Sequence, residues 1–207
     1  MMIAGLIRLV TGVQCRWLDD QVLHGPCLFY ANHRSHLDAI AIWAALPPVI
    51  RQRTRPVAAE DYWQGRLRRC LAERTFNAIL IPRRNIGRDN HPIDRMATAI
   101  DAGSSLILFP EGGRRLDEDD DAPGIFKPGL YHLARARPAI RLIPVWLADI
   151  GKILPKGEIL PVPFIARATF GAALQIEPDE CRTAFLERCR QALCALVPGQ
   201  NGSIDEP

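Results

Sequence analysis

One seven-residue stretch, Asn32-His33-Arg34-Ser35-His36-Leu37-Asp38, brings together side chains able to move a proton. Histidine is the side chain best suited to accept and return a proton near neutral pH. A carboxylate beside it fixes the ring tautomer and stabilises the imidazolium that forms. His33 and Asp38 are five residues apart. On one continuous helix that spacing is roughly 500°, or about 140° around the axis, so the two side chains would diverge. They can meet only if a helix begins between them. Ser35 is a favoured N-cap residue and Asp38 stands three positions later, which approximates a capping box. The expectation is that Ser35 starts a helix, with His33 in the preceding loop and Asp38 at its third position. Two other readings stay open from these residues alone. Asp38 could serve only as a helix cap, or His33, His36 and Asp38 could hold a metal, although no further strong ligand group lies nearby in sequence.

A second stretch, Phe109-Pro110-Glu111-Gly112-Gly113-Arg114-Arg115, combines two glycines with two arginines. Glycines let the backbone approach a ligand and present its N–H groups, and arginine pairs with phosphate in a bidentate fashion. Glu111 could order Arg114 or bind a ligand hydroxyl. A tight loop with a local salt bridge fits the same residues. Two smaller clusters are Ile81-Pro82-Arg83-Arg84 and Phe126-Lys127-Pro128-Gly129.

The elements that must position these clusters are legible as short apolar runs. Cys27–Ala31, Ala78–Ile81, Ser105–Phe109, Leu142–Leu147 and Ile165–Phe170 read as buried strands. Helices are expected at Ser35–Leu46, Asp61–Glu73, Pro92–Ala102, Pro128–Arg137 and Asp179–Leu196. Pro47 stops the first, and Gly103 stops the third. Strands alternating with helices imply an α/β fold: one domain whose central sheet is mixed but mostly parallel, flanked by helices. Three polar clusters then fall at strand ends, where open α/β sheets gather ligand groups.

At 207 residues the chain fits one domain, expected over 1–197, with 198–207 a disordered tail. A short amphipathic helix is expected at about Ile3–Val10, either on a membrane surface or packed on the domain. No apolar run is long enough to span a bilayer. The six cysteines lack a Cys-x-x-Cys spacing and read as reduced thiols in a reducing compartment, not as a disulfide framework or a metal cluster. A net charge of +3 does not by itself argue for nucleic acid. The basic residues are concentrated, however: ten arginines lie between Arg51 and Arg88, against Glu60, Asp61 and Glu73. Asp117 to Asp121 is an acidic run, expected in a solvated loop.

Taken in order, Asn32–Asp38, Ile81–Arg83, Phe109–Arg115, Phe126–Gly129 and Ile143-Pro144-Val145 resemble the motifs of the glycerolipid acyltransferase family, the group that includes 1-acylglycerol-3-phosphate acyltransferases. The resemblance covers roughly residues 5 to 175. It implies that His33 is the general base and Asp38 its orienting partner. It implies also that Arg83, Glu111, Gly112, Gly113, Arg114 and Lys127 bind substrate. The implied reaction moves a fatty acyl group from acyl-CoA or acyl-carrier protein, as co-substrate, to the free hydroxyl of a membrane lipid acceptor, 1-acylglycerol 3-phosphate, giving phosphatidate. It needs no cofactor and no metal. The implied location is the inner face of the cell membrane, with the protein cytoplasmic and peripheral. Docking there would use the arginines of 51–88 with Tyr62 and Trp63; no nucleic-acid partner is implied. Three positions depart from the family: Gly113 replaces a threonine, Arg115 a serine and Pro82 an aspartate. These leave other acceptors open, such as glycerol 3-phosphate, another lysophospholipid or a lyso-aminolipid.

Overall fold

The structure, a computed structural model, describes residues 5, 7–8, 12–19, 24–63, 76–82, 87, 90–114, 122–148 and 166–198. Seven strands form one sheet in the order β1-β7-β6-β2-β5-β3-β4. They are β1 (Gln14–Trp17), β2 (Cys27–Ala31), β3 (Thr54–Ala59), β4 (Ile79–Ile81), β5 (Ser105–Leu108), β6 (Arg141–Ala148) and β7 (Arg167–Phe170). Every neighbouring pair is parallel except β6–β7. The expected α/β class with a mixed, mostly parallel sheet is therefore observed. The helices are α1 (Asp38–Ala45), α2 (Pro48–Gln52), α3 (Pro92–Asp101), α4 (Gly129–Ala136) and α5 (Arg182–Cys194).

A strand buried on both faces must be apolar at every position. All five residues of β2 are buried, and alternation divides them between two cores. Leu28 and Tyr30 join Leu106, Leu142, Leu130, Leu133 and Phe185 on the face covered by α3, α4 and α5. Cys27, Phe29 and Ala31 join Ile107, Ile143, Ala41 and Ile42 on the face covered by α1. At the end of α3, Gly103 adopts φ +85°, Ser104 N–H reaches Ala99 O and Gly103 N–H reaches Ile100 O, each at 2.9 Å. These are the two bonds of a Schellman stop, as the glycine predicted.

Two strands carry no sequence signal of the expected kind. β1 is exposed along Gln14-Cys15-Arg16, so it has no apolar run. In β3, Thr54-Arg55-Pro56 breaks the run although the strand lies between β5 and β4. Of the expected Asp61–Glu73 helix, a 3-10 turn at Glu60–Trp63 is described and the remainder lies outside the described residues. The expected N-terminal helix and the 198–207 tail also lie largely outside them. Arg8 is described: it donates to Ala44 O at 2.7 Å and Ala45 O at 3.0 Å, at the carboxyl end of α1. Arg51 donates to Ala44 O at 3.2 Å from the same end and lies over Trp43 at 5.5 Å. Two cations thus serve carbonyls that the end of the helix leaves unsatisfied. Among the described residues no helix is long and apolar enough to cross a membrane. The five described cysteines are free thiols.

The order of the sheet places the site. From β2 the chain passes through α1 to β3, on one side of β2. From β5 it passes through α4 to β6, on the other side of β2. Adjacent strands β2 and β5 therefore send their connections in opposite directions, over opposite faces. A crevice opens beyond their carboxyl ends at such a switch point. The chain leaves β2 into Asn32-His33 and leaves β5 into Phe109-Pro110-Glu111.

Candidate active site

The exit from β2 is fixed first. Asn32 is 3% exposed. Its amide donates to Leu147 O at 3.0 Å and accepts from Leu147 N–H at 2.8 Å. The side chain thus replaces a backbone peptide and extends the β2–β6 ladder past its last register pair, Ala31 with Val145. That leaves the following residue free to turn over the sheet edge.

His33 is that residue, and its Nδ1 lies 2.8 Å from Asp38 Oδ2. The histidine side chain is 20% exposed and the aspartate fully buried. The same Oδ2 accepts the N–H of Arg34 at 2.7 Å and of Ser35 at 2.8 Å. One carboxylate oxygen therefore gathers the loop into a nest around itself. A carboxylate is an acceptor only, so Nδ1 carries the proton in this bond and Nε2 is the ring's free base.

The helix start differs from the expectation. Ser35 is not the N-cap of α1: the helix begins at Asp38, with Leu37 at the cap position and no side-chain cap bond. Ser35 Oγ accepts Leu37 N–H at 3.2 Å, and Asp38 N–H reaches Ser35 O at 3.4 Å. Residues 35–37 are consequently a tight turn, closed by Ser35 on one side and by Asp38 on the other. His33 still lies in the loop and Asp38 in the first turn. Hydrogen bonding by the loop amides, and not the helix register, brings the two together.

The exit from β5 supplies the rest. Phe109 stacks on the His33 ring with centroids 4.1 Å apart and planes 19° from parallel, which sets the ring's tilt. Glu111 Oε1 accepts His33 N–H at 3.3 Å. Glu111 thus holds the histidine loop, a role its neighbours in sequence do not indicate. Arg114 Nη1 lies 2.5 Å from His36 Nε2, so His36 is an acceptor for the arginine there. Gly112 has φ +70°, and a Cβ there would come within 2.7 Å of Lys127 Cδ and Nζ. The glycine is required twice, for the turn and for the passage of the lysine. Lys127 N–H donates to Pro110 O at 2.8 Å, which ties the turn before α4 to this loop. Phe126 anchors that turn by packing edge-to-face on Tyr30, centroids 6.1 Å apart.

Of the sequence-expected site residues, His33, Asp38, Glu111, Gly112, Gly113, Arg114 and Lys127 gather around this one crevice; Arg83 lies outside the described residues. Phe109 and the His36–Arg114 contact were not assigned from the sequence. An aromatic two residues before Glu111 was the only available signal for the first, and the second joins residues 78 positions apart. No group of three or more His, Cys, Asp or Glu side chains among the described residues could hold a metal ion. The open edge is a cleft of about 700 Å³ lined by Glu111, Gly113, Arg114, Ile125 and Arg190. That volume is in the range of small-molecule sites.

A family model described as acyltransferase matches residues 13–148. None of the curated proteins matches the chain by sequence. Among solved structures, the 1-acyl-sn-glycerophosphate (LPA) acyltransferase PlsC from Thermotoga maritima is similar in fold, with a TM-score of 0.71 at 14% identity. The alignment covers 99% of this chain and 82% of that one.

Proposed function

Because the chain belongs to the acyltransferase family, we propose that it transfers a fatty acyl group from an acyl thioester to the free hydroxyl of 1-acylglycerol 3-phosphate, giving phosphatidate. The observation that carries the reading is the His33–Asp38 bond of 2.8 Å, in a loop tied by Glu111 to a cleft that Arg114 lines.

The chemistry follows from the free base at His33 Nε2. The acceptor hydroxyl gives its proton to Nε2 as its oxygen attacks the thioester carbonyl. The buried Asp38 carboxylate stabilises the imidazolium across Nδ1. The C–S bond of the tetrahedral intermediate then breaks, and the imidazolium returns the proton to the departing thiolate. No acyl-enzyme is needed. Arg114 and the exposed Gly113 backbone suit the acceptor's phosphate, and Lys127, beside Gly112, adds a cation. Arg83 belongs to the same proposal on the family resemblance alone. The donor is acyl-CoA or acyl-carrier protein, and the acceptor comes from the cytoplasmic leaflet, where the protein docks peripherally.

The test is acyl transfer from acyl-CoA to lysophosphatidate, read by mass spectrometry of the lipid product, with His33→Ala as control. A general base contributes about 10²–10⁴-fold, so the variant should lose at least two orders of magnitude in kcat. An unimpaired variant would remove His33 from the mechanism, and no phosphatidate from the parent protein would remove the acceptor.

A further inference from the structure

The cleft lined by Glu111, whose carboxylate accepts the His33 N–H, has a wall that the family motifs do not supply. Arg190, on α5, lines it together with Glu111, Gly113 and Arg114. It lies well beyond residue 148, where the family match ends. We propose that Arg190 is the second arm of a phosphate-binding subsite whose first arm is Arg114, and that it selects which phosphate-bearing substrate the chain accepts. The proposal rests on the acyl-transfer reading above.

Three features of the cleft support a built site. First, α5 is seated by a buried bond: Tyr30 Oη donates to Cys189 O at 3.1 Å, one residue before Arg190. Tyr30 is the penultimate residue of β2, so the helix position and the His33 loop depend on one strand. Second, both guanidiniums are held in place before any ligand arrives. His36 takes Arg114 at 2.5 Å. Glu187 takes Arg190 in a two-bond fork, Nε at 2.9 Å and Nη2 at 2.8 Å. Gln191 in turn donates to Glu187 at 3.0 Å, which fixes the carboxylate. Third, the fork uses one edge of the guanidinium and leaves Nη1 facing the Cys194 sulfur at 3.6 Å, a weak acceptor. A phosphate oxygen is the stronger partner for that edge. The side chain is 32% exposed and reachable. Among the described lining residues, Glu111 is the only carboxylate, and it accepts the His33 N–H. The described wall of the cleft therefore presents cations to the ligand.

The chemistry recognised is a phosphate, which could be the acceptor's phosphomonoester or a phosphate of coenzyme A. The experiment compares the parent protein with Arg190→Gln in two kinetic arms. One varies lysophosphatidate against uncharged monoacylglycerol; the other varies acyl-CoA against an acyl-pantetheine that lacks the nucleotide phosphates. One charge-assisted contact corresponds to about tenfold or more in affinity. KM for the substrate that uses the subsite should rise by about that factor, with kcat within about twofold. The phosphate-free counterpart should be unaffected. A rise in the lysophosphatidate arm assigns the subsite to the acceptor, and a rise in the acyl-CoA arm to the donor. Unchanged KM in both arms overturns the proposal. Titration of inorganic phosphate, followed by phosphorus NMR line broadening, decides the matter without turnover. Broadening in the parent but not in Arg190→Gln sustains the subsite even if acyl transfer fails, and equal broadening in both removes it. Thermal melting checks the fold. Should Arg190→Gln melt early, Arg190→Lys keeps the charge but loses the fork, and a KM rise confined to the same phosphate-bearing substrate carries the same conclusion.

Discussion

Replacing Asp38 by Asn tests whether the buried carboxylate acts through its charge or through its shape. Asn keeps the volume, and its oxygen can still accept the N–H groups of Arg34 and Ser35 that Oδ2 accepts at 2.7 and 2.8 Å. The loop should therefore survive. What disappears is the negative charge facing His33 Nδ1 at 2.8 Å. With Asp38 fully buried and His33 one-fifth exposed, the pair is partly shielded from water. Two unit charges ~4 Å apart interact by about 4 kcal/mol at an effective dielectric constant of about 20. The imidazolium exists only after the proton has moved, so this energy is felt in the transition state and hardly in the ground state. It corresponds to roughly 10³-fold in kcat, with little change in KM. The assay is thioester cleavage in the presence of lysophosphatidate, read as release of the CoA thiol, with kcat and KM separated. Asp38→Ala should lose similar activity and also melt earlier, because it strands the two loop N–H groups, Ser35 being buried. If Asp38→Asn stays within tenfold of the parent kcat, the carboxylate only shapes the loop and the dyad reasoning fails.

Three further outcomes follow from the same geometry. Asn32→Ala leaves Leu147 N–H and C=O without the partners that hold them at 2.8 and 3.0 Å; a loss of about 2–4 kcal/mol in stability is expected from denaturant titration. Gly112→Ala puts a Cβ within 2.7 Å of the Lys127 side chain at φ +70°, so KM for the acceptor should rise several-fold, and a parent-like KM would show the loop to be more pliant than its packing implies. Burial pushes the Cys189 thiol up to about 12 and raises that of Cys27, so neither carries thiolate near neutral pH. Both should resist an alkylating reagent in the native protein and react after unfolding, while the exposed Cys181 reacts at once, as peptide mass mapping would show.

The fold class, the strands of the sheet centre and the proton-transfer candidates were legible in the sequence because each is a local pattern. β2 and β6 are apolar runs since both faces of each are covered, and the Gly103 stop needs only one residue of special conformation. His33 and Asp38 announce themselves by residue type and spacing. Local pattern failed where the strand is exposed or the run is interrupted, as in β1 and in Thr54-Arg55-Pro56 of β3. It also misplaced the helix start, because Ser35 has the chemistry of a cap while the Asp38 carboxylate draws the preceding amides into a turn.

Which distant residues share the crevice follows from the sheet order and not from any local pattern. Phe109 stacks on His33, Glu111 holds its amide and Arg114 meets His36 because β2 and β5 are neighbours whose connections part in opposite directions. Arg190, on α5 and more than seventy residues further along the chain, lines the same cleft as Glu111 and Arg114. No spacing in the sequence encodes that approach, since it depends on strand order and on one tyrosine of β2 reaching a helix carbonyl. Residue types and spacing say what chemistry the chain can attempt; the pairing of β2 with β5 and the packing of α5 on β6 and α4 set which cations share the cleft.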